Sequence, residues 1–220
     1  MKVNGYVVYT GPSMINGEPI KVIKTGTLRP SQNRKTGDML QWWIMPVASK
    51  PTDAIQNGDD AAVCGDCPAR PANGGHCYLN HGWINGTWNA EYPLESAHRD
   101  SPDRLGAWGD PAAIPFDIVK ANMGAKWTGY THQWRTCDPR FKDIVMASVD
   151  TPQEYIEATQ AGWRTFRARM ASGASGTYNV FDNEVVCPAS KEAGFRVKCN
   201  TCLLCAGTSK NAKNVTIIIH

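Results

Sequence analysis

The stretch "DIVMASVDTPQEYIEATQAGW", residues 143–163, decides the fold class. Its first part, to Val149, is a nearly unbroken apolar run of strand length, as expected for a parallel strand buried on both faces. Thr151, Pro152 and Glu154 then spell a helix start: an N-cap, a proline at the first helical position and the acid of a capping box. The helix is expected to run to Ala161 and stop at Gly162. Working outward, the same rhythm recurs. "RLGAWG" (104–109) reads as a strand. Asp110-Pro111 then opens a turn and a helix carrying Ile114, Phe116, Ile118 and Val119, with Gly124 as its C-cap. "KWTGYTH" (126–132), "WRTFRAR" (163–169), "NEVVCPA" (183–189) and "VTIIIH" (215–220) follow as strands. This alternation predicts an α/β fold, a partial or full parallel βα barrel with N-terminal β strands and Cys-rich metal-binding loops.

Residues 1–50 form the β-rich N-terminal part, with strands expected at Val3–Tyr9, Ile20–Thr25 and Leu40–Met45 between Gly/Pro/Asn turns. Residues 51–100 are a Cys-rich loop region of many Gly, Pro, Asn and Asp. A loop that long is unusual in a compact domain unless something such as a metal orders it. Residues 101–186 carry the βα repeats, and 187–220 a Cys-rich metal segment and the last strand. No boundary divides the 220 residues, so a single domain is expected. The net charge of +3 makes no strong electrostatic case for nucleic acid or membrane, although a local basic patch is compatible with it. The first residues lack the apolar core of a signal peptide and no run is long enough to span a bilayer, so a cytoplasmic protein is expected. Thiols stay reduced there, which favours metal ligation over disulfides for the eight cysteines.

Four of those cysteines lie in "VVCPASKEAGFRVKCNTCLLCAG" (185–207): Cys187, Cys199, Cys202 and Cys205. The two-residue gaps let neighbouring sulfurs point at one ion or cluster, so either a tetrahedral Zn2+ or a [4Fe–4S] cluster fits. The Cys-x-x-Cys-x-x-Cys run with a separate Cys-Pro is closest to a ferredoxin ligand run, which favours the cluster. The other set is Cys64, Cys67 and Cys77 in "CGDCPARPANGGHCYLNHG" (64–82). Three thiols are one short of a closed site. Either His76, His81 or Cys137 completes it, or a coordination position stays open for chemistry.

The order of a Cys-rich loop, "LGAWGDPAAIPFDIV" and "MASVDTPQEYIEATQAGW" resembles the radical S-adenosylmethionine superfamily. The resemblance covers about residues 60–207. It implies a [4Fe–4S] cluster on Cys64, Cys67 and Cys77 with one open iron. Gly109-Asp110-Pro111 would stand for the Gly-Glu-Pro turn that contacts S-adenosylmethionine, and Ser148-Val149-Asp150 for the later Ser-hydrophobic-Asp strand. The C-terminal quartet would be an auxiliary iron–sulfur site. The chain departs from the family's Cys-x3-Cys-x2-Cys motif: it has Cys-x2-Cys-x9-Cys, with Tyr78 after the last cysteine rather than before it. It also looks like small phage proteins with a shortened barrel of this type, which implies a host-cytoplasm location and a nucleotide or nucleic acid as substrate class. The competing reading is a zinc-stapled, non-catalytic protein that binds nucleic acid or a protein partner.

Asp110, His132, Asp150, Cys187 and His220 each fall at or just after a predicted strand's C-terminal end, the edge that carries chemistry in βα barrels. His132 and Asp150 are the candidate catalytic groups, with helix initiation as the competing role for Asp110 and Asp150. Trp42, Trp43 and Trp134 could stack on a base, but one of the adjacent Trp42 and Trp43 should face the core. Arg167 and Arg169 share a strand face and suit either an anion or pairing with local acids. No P-loop, His-Glu-x-x-His or Gly-x-Ser-x-Gly stretch supports a nucleotide hydrolase, zincin or serine hydrolase.

Overall fold

A computed structural model describes residues 3–77, 81–94, 99–169 and 179–218, with the side chains of 81–83 left undescribed. Among the described residues nine strands form one sheet. The strands β1 (Gly5–Pro12), β2 (Pro19–Thr25) and β3 (Leu40–Pro46) make an antiparallel meander. Before the next strand come helices α1 (Pro51–Asn57), α2 (Ala61–Cys64) and α3 (His81–Asn89), and a 3-10 turn at Pro71–Asn73. Then follow β4 (Asp103–Trp108), α4 (Phe116–Asn122), β5 (Trp127–Thr131), β6 (Met146–Val149), α5 (Pro152–Gln160), β7 (Thr165–Arg169), β8 (Glu184–Val186), α6 (Cys199–Cys202) and β9 (Asn214–Ile218). The spatial order is β1-β2-β3-β4-β5-β6-β7-β9-β8, and every pairing from β3 onward is parallel.

The fold is therefore mixed α/β with a mostly parallel sheet. It is open: among the described residues no ladder joins β8 to β1. Residues 51–94, expected as loop, hold three short helices. Pro51 starts α1 and Gly58, at φ 84°, stops it. Helices of four to nine residues are too short to print a 3.6-residue repeat on the sequence. The helix expected after Asp110 is also split. A 3-10 turn covers Pro111–Ala113, and α4 begins only after Pro115. Met123, not Gly124, caps α4, while the Gly124 N–H donates to Asp103 Oδ2 at 2.6 Å. The strand read from 143 begins at Met146, because a 3-10 turn over Pro139–Asp143 occupies its approach.

The start of α5 matches expectation. Thr151 Oγ1 accepts the Glu154 N–H at 3.1 Å, and Glu154 Oε2 accepts the N–H groups of Asp150 and Thr151. Strand alternation sorts the two faces. Ala147 and Val149 pack with Ala158 of α5, alongside Leu105, Trp42, Ile44 and Val119. Met146 and Val215 face the other way, with Phe166, Val185 and Ile217 packed around them. At the strand-start end, Lys24 Nζ and Trp42 Nε1 each reach Asp103 Oδ1 at 2.8 Å. Lys24 and Asp103 are both buried. This knot ties β2, β3 and β4 to the end of α4, where Lys24 also donates to the Asn122 carbonyl. Among the described residues no helix is long and apolar enough to cross a membrane.

Candidate metal centres

The first cysteine set is built by a tight turn. α2 ends at Cys64, and Gly65 follows at φ 55°, ψ −126°, a conformation open to glycine and closed to other residues. A Cβ there would overlap the Gln133 amide. Gln133 Nε2 donates to Asp66 Oδ1 at 2.6 Å and so bridges the turn to the segment after β5. Arg70 holds the turn from the other side: it donates to the carbonyls of Gly65 (2.6 Å) and Gly58 (2.9 Å) and pairs with Asp60 at 2.8 Å. The Asp110 N–H donates to the Val63 carbonyl at 2.6 Å, which fixes α2 to the end of β4.

Cys64, Cys67 and Cys77 lie close enough to feel one another's charge. Burial pushes the Cys64 thiol well above its ordinary range, and Cys67, Asp60, Asp110 and Cys77 push it the same way. His132 stands against this set, hydrogen-bonded with Cys67 and with its Nε2 3.3 Å from Asp150 Oδ2. Burial works against a charge on His132, but the bonds and charges of Asp150 and Cys67 outweigh it and hold its pKa well above an ordinary histidine's. Asp150 is thus turned toward His132, while Thr151 caps α5. Asp110 Oδ1 accepts the Ala112 N–H at 2.9 Å and Oδ2 the His132 N–H at 2.8 Å, so it stitches the ends of β4 and β5 together. Burial raises its pKa, against the effect of these bonds. Gly109 has φ 79°, and a Cβ there would strike the Ile44 carbonyl. Ser148 shares its sheet face with Met146, opposite α5.

Of the expected completing ligands, His76 is exposed, and the His81 side chain lies outside the described residues. Cys137 packs against the apolar core beside Asp110 and Asp138. Tyr78 and His220 also lie outside the described residues.

The second set lies elsewhere. Burial pushes Cys205 well up, and the charges of Cys187, Cys199 and Cys202 add to this. Cys187, Cys199 and Cys202 thus lie within electrostatic reach of Cys205. Cys187 directly follows β8. Cys199 and Cys205 pack beneath Met146 and Val215, on the face away from α5. The Cys205 carbonyl accepts the Gly129 N–H of β5 at 2.8 Å, and the Lys35 carbonyl, from the loop before β3, accepts the Cys199 N–H at 3.1 Å. Arg164, buried at the start of β7, donates to the carbonyls of Leu204 (2.8 Å), Gly207 (2.9 Å) and Lys213, fixing the descent into β9. The sequence offered no sign of the roles of Gln133, Arg70 and Arg164, because each acts through distant backbone carbonyls or side chains.

None of the eight cysteines is in a disulfide. Among the described residues no three or more His, Cys, Asp or Glu side chains stand as a preformed metal-binding group. Both sets are instead thiols held near one another by the fold. Trp42 and Trp134 are core residues, and Trp43 donates to Thr25 Oγ1 at 2.8 Å. Arg167 is buried against Glu184 at 2.7 Å, and Arg169 pairs with Glu192, so both are matched with local acids. Comparison with family models, curated proteins and solved structures finds no match for this chain.

Proposed function

We propose that this is an iron–sulfur protein of radical S-adenosylmethionine-like type, acting in the cytoplasm on a nucleotide or nucleic-acid substrate, with the open sheet curling as a partial βα barrel. One observation supports the reading: Cys64 feels the charges of Cys67, Cys77 and Asp110, and His132, just after β5, feels those of Cys67 and Asp150. The donor chemistry fits a thiophilic metal. The Cys64 thiol, whose pKa burial raises, would hold its proton until a cation replaces it. Cys187, Cys199, Cys202 and Cys205 would hold a second, auxiliary metal group. When bound, a cluster on the trio supplies the electron that cleaves S-adenosylmethionine. The chain's own part is to set the Cys64–Cys67 turn through Gly65, Gln133 and Arg70, and to keep a proton on His132 through Asp150. Gly109, Asp110 and Ser148 are the candidate contacts for S-adenosylmethionine.

The zinc-stapled, non-catalytic reading has its own support. Both Asp110 oxygens accept backbone N–H groups, so this residue has a structural task where the radical family's turn contacts its cofactor. Anaerobic purification with metal analysis separates the two readings. Brown protein with about four or about eight irons per chain is expected. Colourless protein with one or two zincs per chain, unchanged by iron and sulfide reconstitution, would refute the radical reading. In Cys77→Ser, one metal complement should be lost and the C-terminal one retained.

A further inference from the structure

A net charge of +3 hides an uneven distribution. The loop before β3 docks along the start of α6: the Cys199 N–H donates to the Lys35 carbonyl at 3.1 Å, and the Asn200 N–H to the Thr36 carbonyl at 3.0 Å. This brings Arg34 and Lys35 beside Lys198, with Arg196 two residues further back. All four are exposed. Among the described residues none of the four is in an ion pair. Two nearby acids are already engaged, Glu192 by Arg169 and Asp38 by Arg99. Among the described residues no carboxylate is thus paired with any of these four cations.

An exposed aromatic residue lies in the same segment, next to Arg196 and three positions before Lys198. Phe195 has φ 51° and is 59% exposed. Its N–H donates to the Ser190 carbonyl at 2.9 Å, and Gly194 before it is also left-handed, at φ 73°. A bulky residue in this region is strained, and such strain points to a role for the side chain. Burial is not that role, because the ring faces solvent. Val197, 38% exposed, extends the apolar strip. Cations that take phosphates, around a ring on which a base stacks, are the two elements of single-strand recognition.

We propose that the face formed by residues 34–35 and 195–198 binds single-stranded nucleic acid. Arg34, Lys35, Arg196 and Lys198 contact phosphates and Phe195 stacks on a base. An acidic protein would use the cations but has no need of a strained, outward-facing ring. The inference stands apart from the metal assignment, since it uses no thiol.

The test is fluorescence anisotropy on the full chain as purified, with labelled oligo-dT and oligo-rU of about 12 nucleotides, a length within the range of single-strand sites. Binding should weaken with salt, with a log–log slope of about −3 for four phosphate contacts. Phe195→Ala should weaken binding about tenfold. Phe195→Gly removes the ring and suits the positive φ, so it tests the ring even if the alanine variant folds poorly. The double variant Lys35→Ala/Lys198→Ala should flatten the slope by about 1.4. Metal content, measured in parallel, should be unchanged in the Phe195 variants. No binding at low salt would overturn the proposal, as would tighter binding to duplex of the same length. Equal binding to polyglutamate with no effect of Phe195→Gly would overturn it in favour of an acidic protein partner.

Discussion

Gly65→Ala should disable the first cysteine set while leaving the chain folded. The alanine must adopt φ 55°, ψ −126°, or the Cys64–Cys67 turn must change shape. Holding a non-glycine residue there costs about 1–3 kcal/mol. The new Cβ also displaces the Gln133 amide, which loses its 2.6 Å bond to Asp66, worth about 1 kcal/mol at a part-exposed site. The sum is about 2–4 kcal/mol, which for a chain of this size lowers the melting temperature by about 5–15 °C. Gly86→Ala in α3 is the matched control. Nothing lies within 4 Å of its added Cβ and its φ is not positive, so it should raise stability by about 0.4–1 kcal/mol. Calorimetry and metal analysis of both variants form the assay. Gly65→Ala should melt lower and lose the metal proposed for Cys64, Cys67 and Cys77, while that proposed for the C-terminal quartet stays. A variant that melts like the parent and keeps its full metal content would refute the account of a turn set by glycine and locked by Gln133.

Lys24→Met should destabilise the fold by about 3–5 kcal/mol by chemical denaturation, because it leaves Asp103 buried without its cation. Adding Asp103→Leu should recover part of that loss. Burial pushes the Cys137 thiol up to about 12. At pH 8 its thiolate fraction is then about 2,000-fold below that of a free cysteine, so iodoacetamide mapped by mass spectrometry should leave it unmodified in the native protein. Because the folded pKa is the higher one, this thiol's contribution to stability is complete below about pH 8.5 and fades as the pH rises toward 12, so melting temperatures should fall through that window. Arg164→Ala should release the loop from Leu204 to Lys213 and lower the metal content of the quartet without touching the trio.

Much of the architecture was legible locally. The Thr151-Pro152-x-Glu154 start of α5 is a short-range hydrogen-bond device, and it forms as written. The Trp42–Trp43 pair obeys strand alternation, with Trp42 buried and Trp43 half-buried. The placement of Asp110, His132 and Asp150 just after β4, β5 and β6 follows from parallel strands, and it brings all three to one edge. What stayed hidden has a common cause. The helices between residues 51 and 89 are too short for periodicity, and α4 is displaced by two prolines whose combined effect depends on what they pack against. The basic character of the α6 face was invisible because it joins residues 34–35 to 196–198, more than 150 positions apart.

The sequence by itself determined the alternation of strands and helices and the two groups of thiols, because hydrophobic period, capping and Cys spacing are local properties. Tertiary structure alone decided that the sheet stays open and that His132 bridges Cys67 and Asp150. It also packed Cys199 and Cys205 against the cluster of Met146, Cys187, Ala189 and Val215. Those outcomes depend on which distant backbone groups satisfy one another, as Gly129 and Cys205 do, and no stretch of sequence contains both partners.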